Sequence, residues 1–189
     1  QWLYRMSILI TGGSGFIGSN LFGDIKITRN DADLTIYSQA LQILKKHKPT
    51  TVIHTAARHG NFSDMNKYHT KFIQENLRMS TVTSFPDGVP LPYDEINFYS
   101  GDVASNNYGY AFGKKVCASL CKAYQIEFGL NYKSVILGNV YGPYNTFNDE
   151  STVISTLIYK CYQSKMLNKD LYIYGDGTPV RDFIYVGDL

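Results

Sequence analysis

Residues 8–18 read Ile-Leu-Ile-Thr-Gly-Gly-Ser-Gly-Phe-Ile-Gly, an aliphatic run that breaks into glycines. Continuous aliphatic residues are typical of a parallel strand buried on both faces. The glycines suit a turn into a helix whose N-terminal N–H groups attract phosphate. Gly12 fits the tight turn, Gly15 the close approach of a pyrophosphate, and Gly18 the packing of helix on strand. The stretch therefore predicts a dinucleotide-binding loop.

The rest of the pattern alternates helices and strands, which predicts an α/β fold with a Rossmann-like, doubly wound parallel sheet. Helices are expected at residues 19–22, 37–48, 67–79, 108–128 and 153–162. Strands are expected at residues 8–11, 25–28, 51–56, 133–137, 171–174 and 183–186, with a turn at 138–143.

Two junctions are too short for this fold. A crossover between parallel strands needs about 10–12 residues or more including its helix, yet the phosphate loop and its helix share residues 12–24. No fourth aliphatic strand follows the helix that ends at residue 79, because residues 80–86 are too polar. We therefore expect the natural protein to contain residues near 22–24 and 79–80 that this sequence lacks.

Composition excludes several classes of protein. The 189 residues are 44% hydrophobic with a net charge of +2, which gives no electrostatic reason to expect a nucleic acid or an anionic membrane as partner. No apolar segment approaches the roughly 20 residues that span a bilayer, and residues 1–6 lack the apolar region of a signal peptide, so a cytoplasmic location is expected. Cys117 and Cys121 are expected to be buried thiols, and no metal site is expected.

Tyr110 and Lys114 are four residues apart near the start of the longest predicted helix, and so are neighbours on one face. A phenol has a pKa near 10, and an ammonium beside it favours the phenolate. The pair can therefore exchange a proton with a carbonyl oxygen as hydride moves. A hydroxyl from a separate loop would hold that oxygen, and Thr81 is the candidate. The predicted cofactor-binding residues are Gly12, Ser14, Gly15, Phe16, Ile17, Gly18, Arg29, Ala56, Ala57, Tyr110 and Lys114.

Residues 11–18, the Tyr110-x-x-x-Lys114 pair and the segment Asn-Val-Tyr-Gly-Pro at 139–143 together resemble the extended short-chain dehydrogenase/reductase family, which includes NAD-dependent epimerases and dehydratases. More closely, four segments are similar to the subfamily of GDP-L-fucose synthases: residues 31–35, 52–57, 107–110 and 177–185. The similarity runs in blocks through nearly the whole chain. It implies an NADP-binding domain over residues 1–150 and the start of an incomplete nucleotide-sugar-binding portion over 151–189.

The resemblance implies reduction by NADPH of the C4 ketone of a nucleotide-diphosphate 4-keto-6-deoxy sugar, with or without epimerisation at C3 and C5. Thr81 takes the place of a catalytic serine, Tyr110 is the general acid, and Lys114 holds the cofactor ribose and lowers the tyrosine pKa. Arg29 suits a 2′-phosphate, so NADP is expected rather than NAD. A homodimer is expected from the family. The positions that match substrate contacts are Thr83, Asn139, Tyr174 and Arg181.

The family's epimerising members carry a cysteine and a histidine at positions that here hold Thr83 and a residue near Thr152. Neither threonine titrates near neutral pH, which favours a reductase that acts on an already epimerised or a non-epimerised keto sugar. Two other interpretations stay open at this point. One is a sugar 4-epimerase or 4,6-dehydratase that retains its nicotinamide cofactor, and the other is a dinucleotide-binding regulator without catalysis.

Overall fold

The computed structural model describes residues 6–57, 67–79 and 108–189. In these ranges the strands are β1 (Ile8–Thr11), β2 (Ile25–Ile27), β3 (Thr51–His54), β4 (Asn139–Tyr141) and β5 (Phe183–Tyr185). The helices are α1 (Phe16–Asn20), α2 (Tyr37–His47), α3 (His69–Met79), α4 (Tyr108–Phe128) and α5 (Val153–Leu167). A 3-10 turn follows β5 over Val186–Asp188.

β1 is the centre of a parallel sheet with the order β2-β1-β3. Leu9 pairs with Ile25 on one side and with Val52 on the other. Leu9 and Ile10 are completely buried, as the continuous aliphatic run predicts. A second parallel pair joins β4 to β5, with Asn139 opposite Phe183. Parallel strands alternating with helices confirm the predicted α/β class.

The core beside the central strand is small and lies on one face of the sheet. Leu9 and Ile27 contribute from β1 and β2, Ile43 contributes from α2, and Ala32 comes from the intervening loop. Ile43 is the buried residue of α2, and the last turn of this helix carries the basic residues Lys45, Lys46 and His47. Packing of this helix against β1 and β2 therefore places the loop after β2 at the carboxyl edge of the sheet.

The crossover from β1 to β2 is compressed, as the sequence predicts. α1 has only five residues and begins at Phe16, earlier than expected, because the backbone N–H of Ser19 already bonds to the Gly15 carbonyl. The returning chain then lies directly against β1: the N–H of Asp24 donates to Ile8 O at 2.9 Å. A Cβ on Gly23 would lie 2.7 Å from the end of the Ile10 side chain, so a larger residue there would displace that side chain.

Two predicted strands are wrong. Residues 133–137 have no strand structure, and β4 instead covers Asn139–Tyr141, which was predicted to be part of a turn. A strand needs a neighbouring backbone to satisfy its N–H and C=O groups, and β5 offers that partner to β4 but not to the preceding residues. Val135 is accordingly 67% exposed. Residues 171–174 are likewise not a strand, and Tyr174 is 91% exposed.

The helix predictions hold better. α4 has the predicted bounds, α2 is one residue shorter than predicted, and α5 is five residues longer. Cys117 is buried as expected, whereas Cys121 is only half-buried. Within the described ranges, no cluster of three or more potential metal-binding side chains occurs. None of the described helices has the length and apolar character that crossing a bilayer requires.

Candidate cofactor and active site

The glycine loop lies between the carboxyl ends of β1 and β3. Gly12 has φ +69°, which L side chains adopt only with strain, and a Cβ there would lie 2.8 Å from the backbone nitrogen of Ala56. A Cβ on Gly18 would lie 2.9 Å from Thr55 Oγ1. The predicted roles of Gly12 in the turn and Gly18 in helix packing therefore have a direct structural cause. Ala56 therefore lies against the glycine turn, and its role in cofactor binding stays a prediction.

Gly12→Ala tests this close approach, and Gly129→Ala is its matched control. Gly129 has a similar φ of +64°, but nothing lies within 4 Å of its Cβ position. We expect Gly129→Ala to cost about 1–2 kcal/mol from left-handed strain alone. Gly12→Ala adds a collision with the backbone just after β3, which cannot move aside as the tip of a side chain could. Its free energy of unfolding in chemical denaturation should therefore fall by at least about 1 kcal/mol more than that of the control. Equal losses would contradict the close approach.

α1 connects the glycine loop to the loop after β4. Asn20 Nδ2 donates to Phe16 O within the helix and to Pro143 O, both at 2.9 Å. The Gly-Pro segment is thereby held beside the first helical turn, where Gly15, without a side-chain cap, precedes Phe16. The 3-10 turn after β5 also packs against α1. Sequence reasoning missed Asn20, because nothing in its local pattern distinguishes it from an ordinary helix residue.

α3 packs along α4 and determines where α4 begins. The backbone N–H of Gly109 donates to His69 Nδ1 at 3.4 Å. A Cβ on Gly109 would overlap the His69 backbone, so only glycine permits this approach. The contact fixes the first turn of α4, which carries Tyr110.

Lys114 lies in α4 and is completely buried, which is unusual for a side chain that carries a positive charge. Among the described residues, Nζ has no hydrogen-bond partner. It lies 5.2 Å from the centroid of the Tyr110 ring. Burial lowers the pKa of Lys114 to about 8, although the neighbouring Cys117 thiol opposes the shift. A buried ammonium without a partner is costly, so this atom is available to a ligand that brings hydrogen-bond acceptors.

The pKa of Tyr110 moves in the direction opposite to the one expected. Burial raises it to about 12, because a phenolate would lose more solvation than the phenol. The expected lowering by Lys114 is therefore wrong for the protein by itself. Tyr110 is a neutral phenol throughout the physiological range, and so a proton donor.

Arg29 is exposed just beyond the end of β2, as the sequence predicts. Hydrogen bonds from Thr35 lower the pKa of Asp33, and the nearby Arg29 guanidinium acts in the same direction. Thr28 donates both its N–H and its hydroxyl to Asp31 Oδ2, at 2.8 and 2.7 Å. These turns shape the loop that carries Arg29 at the carboxyl edge of the sheet.

Two of the predicted substrate residues lie in or beside the second sheet: Asn139 is in β4, and Arg181 precedes β5 by two residues. Asn139 donates both its backbone N–H and its Nδ2 to Asp182 O at 3.0 Å, which fixes the chain next to Arg181. The Arg181 side chain is exposed and donates to Val180 O. The Tyr174 ring lies 4.1 Å from Lys160 Nζ. Thr81 and Thr83 lie outside the described residues, so their predicted roles stay predictions.

A parallel α/β sheet with a glycine loop at its carboxyl edge defines a dinucleotide-binding protein of the Rossmann class. Residues 8–83 and 77–189 match the model of the NAD dependent epimerase/dehydratase family, and the chain belongs to that family. The family predicted from the sequence is thus confirmed.

Several relatives are GDP-L-fucose synthases. The enzyme of Dictyostelium discoideum is 33% identical over 98% of this chain and 68% of its own length. A probable GDP-L-fucose synthase of Drosophila melanogaster is 31% identical over 96% of this chain and 68% of its own length. The crystal structure of a GDP-L-fucose synthetase from Naegleria fowleri bound to NADP has a TM-score of 0.84 and 27% identity, covering 97% of this chain and 70% of that one.

The chain spans about two thirds of the length of the curated relatives it matches. The alignment with the Dictyostelium enzyme covers 216 positions, which is more than the 189 residues of this chain. The relative therefore contains internal residues without a counterpart here. That these belong near 22–24 and 79–80, and that a domain boundary falls at residue 150, stay predictions.

Proposed function

We propose that this protein uses NADPH to reduce the C4 ketone of a GDP-linked 4-keto-6-deoxy sugar. Membership in the family and the GDP-L-fucose synthase relatives support this activity. The observation that carries the proposal is the buried Lys114 ammonium, without a hydrogen-bond partner in the described part of the chain and one helical turn from Tyr110. Ribose hydroxyls of a bound cofactor would accept the hydrogen bonds of this ammonium.

The described residues fit a dinucleotide. Gly15 precedes α1 in an extended conformation and provides no side-chain cap, so the N–H groups of the first turn would be able to bind a phosphate. Gly12 and Gly18 bring the loop against the end of β3, and Ala56 and Ala57 would form the opposite wall. When bound, NADPH supplies the hydride. The chain itself has to bind the diphosphate, orient the ring and provide the proton.

Tyr110 would provide that proton. Its pKa of about 12 keeps the phenol protonated at neutral pH, as an acid for a reductive step requires. The ketone oxygen gains negative charge during reduction and takes the phenolic proton. Lys114, with its ammonium 5.2 Å from the ring, would stabilise the phenolate that remains. The Thr81 hydroxyl would donate a hydrogen bond to the ketone oxygen, which is the role that the sequence predicts for Thr81.

Epimerisation at C3 and C5 is not part of the proposed activity. Thr152 precedes α5, and its Oγ1 accepts a hydrogen bond from Asn145 Nδ2 at 3.0 Å. The same amide donates to Ser155 Oγ at 2.8 Å. A threonine hydroxyl in such a polar cluster has no ionisable group that could remove or return a carbon-bound proton. The proposed substrate is therefore one that needs only reduction.

Incubation in D₂O with NADPH and GDP-4-keto-6-deoxymannose tests the proposal, with the UDP- and dTDP-linked ketones as controls. We expect one NADPH consumed for each GDP-sugar reduced, and a product that carries no solvent deuterium at C3 or C5. Conversion of sugar without net consumption of NADPH would favour the retained-cofactor epimerase or dehydratase interpretation. Deuterium at C3 or C5 would refute the argument from Thr152.

Arg29 is proposed to select NADPH through the 2′-phosphate. Arg29→Met should raise the Kd of NADPH about tenfold, since one charge-assisted hydrogen bond is worth about 1.5 kcal/mol or more. The Kd of NADH should stay the same. Lys45→Met removes an exposed cation from α2 and is the matched control, with no expected effect on either cofactor. If fluorescence titrations show that Arg29→Met raises the Kd of NADPH and of NADH equally, Arg29 does not select between the two cofactors.

We also propose a cytoplasmic homodimer. In the described part of the chain, Cys117, Cys121 and Cys161 form no disulfide, which suits a reducing compartment. The second half of α4 carries a stripe of exposed apolar residues at helical spacing, which suits packing against a second copy. The stripe comprises Leu120, Tyr124 and Phe128. Light scattering should give twice the chain mass, and Leu120→Glu should give the monomer.

A further inference from the structure

We propose that Thr11 and His54 form a positioning pair that fixes the separation of the two walls of the cofactor crevice. Thr11 is the last residue of β1 and directly precedes Gly12, while His54 is the last residue of β3. The two residues are opposite each other in the parallel register. Thr11 Oγ1 lies 2.5 Å from His54 Nδ1, so a side-chain hydrogen bond joins the strands where the glycine loop begins.

Further bonds extend this connection to the second wall. The N–H of Ala56 donates to Thr11 Oγ1 at 3.4 Å, and Thr55 Oγ1 donates to Thr11 O at 2.7 Å. Thr11 is only 6% exposed, so its hydroxyl depends on these partners. When His54 Nδ1 carries no proton, the hydroxyl donates to it and accepts from Ala56. Thr11 thereby holds both segments that follow the strands.

The position explains why the pair should matter for binding. The Ala56 nitrogen that contacts Thr11 is also the atom 2.8 Å from the Cβ position of Gly12. If the ends of β1 and β3 moved slightly apart, the turn at Gly12 and the wall at Ala56 would therefore separate from each other. Lys114 and Tyr110 lie elsewhere, on α4, so the pair acts on cofactor affinity rather than on the proton transfer. This role rests on the proposed use of NADPH.

The opposite end of the same strands supplies a matched control. Thr50 Oγ1 accepts from the N–H of Ser7 at 2.9 Å and donates to Ser7 O at 3.1 Å, which joins the amino ends of β1 and β3. Thr50→Val removes a cross-strand hydroxyl of the same kind far from the glycine loop. It should lower the melting temperature and leave the Kd of NADPH unchanged.

The test measures the Kd of NADPH and the melting temperature of the full chain for Thr11→Val, His54→Leu and the double variant. We expect each single change to raise the Kd about tenfold, as for the loss of one buried hydrogen bond. The double variant should bind no more weakly than either single one, because both remove the same interaction. Thr11→Ser and His54→Asn keep a hydroxyl and a polar atom near Nδ1, and should stay within about threefold of the wild type.

An unchanged Kd with a lowered melting temperature would overturn the proposal, as would single effects that add in the double variant. If His54→Leu does not fold, the Kd of NADPH for Thr11→Val and Thr11→Ser tests the proposal instead. Equal Kd values for these two variants would overturn it. Failure of the wild type to bind NADPH would refute the proposed function and this inference together. Wild-type binding with unaffected variants would refute the inference alone.

Discussion

Tyr110→Phe should lower kcat for reduction of the GDP-keto sugar by about 10²–10⁴, the usual contribution of a positioned general acid. The variant loses only the phenolic O–H. Because the ring that lies beside Lys114 is kept, the Kd of NADPH should change less than about threefold. Single-turnover oxidation of NADPH measures the chemical step, and fluorescence titration measures binding.

Tyr108→Phe is the matched control for this loss. Tyr108 lies two residues earlier in α4, is 40% exposed and stacks on Phe112 with ring centroids 5.7 Å apart. Removal of its hydroxyl should leave kcat unchanged. If both variants keep wild-type rates, Tyr110 is not the proton donor; a wild type without any activity would favour the regulator without catalysis. If both lose activity equally, the effect belongs to the helix and not to a proton donor.

Lys114→Met should make the protein by itself more stable and at the same time weaken its binding of the cofactor. The folded protein lowers the pKa of Lys114 from 10.5 to about 8, a cost of about 3 kcal/mol below the folded pKa. Met fills similar volume without charge, so the free energy of unfolding at neutral pH should rise by up to about 3 kcal/mol. The Kd of NADPH should rise about 10- to 100-fold, because a charged hydrogen-bond donor is lost.

The sign of the pH dependence follows from the same shift. Between about pH 8 and 10.5 the unfolded chain binds the Lys114 proton and the folded chain does not, so wild-type stability should rise with pH there. The advantage of the methionine variant should therefore be largest below pH 8 and shrink above it. Lys122→Met, at an exposed position of α4, should change stability by less than about 0.5 kcal/mol at any pH. A destabilised Lys114→Met with intact NADPH affinity would contradict the account.

Local sequence pattern predicted the parts of the fold that local interactions determine. α4 follows its apolar spacing from Tyr108 to Phe128, and β1 follows its aliphatic run into Gly12. The strand predicted at residues 133–137 was wrong, because a strand depends on a partner elsewhere in the chain. β5 pairs with Asn139–Tyr141, so the strand forms there. Pairing between distant segments is not encoded in the pattern of either one.

In the candidate site too, local spacing was predictable and interactions between distant residues were not. Spacing predicted that Tyr110 and Lys114 share a helix face, and the structure places them together. Spacing could not predict that the tyrosine pKa rises, because desolvation depends on what packs around the ring. The hydrogen bond from Thr11 to His54 was likewise missed, since it joins residues 43 positions apart. His54 alone looked like an ordinary strand residue.

The most direct measurement is a crystal structure of this chain with NADPH. The account predicts Lys114 Nζ about 2.7–3.2 Å from a hydroxyl of the nicotinamide ribose, with the Tyr110 hydroxyl facing the open side of the ring. The diphosphate should lie against the residues from Gly12 to Gly18. A bound cofactor that leaves the Lys114 ammonium without a partner, or a nicotinamide ring turned away from Tyr110, would contradict it.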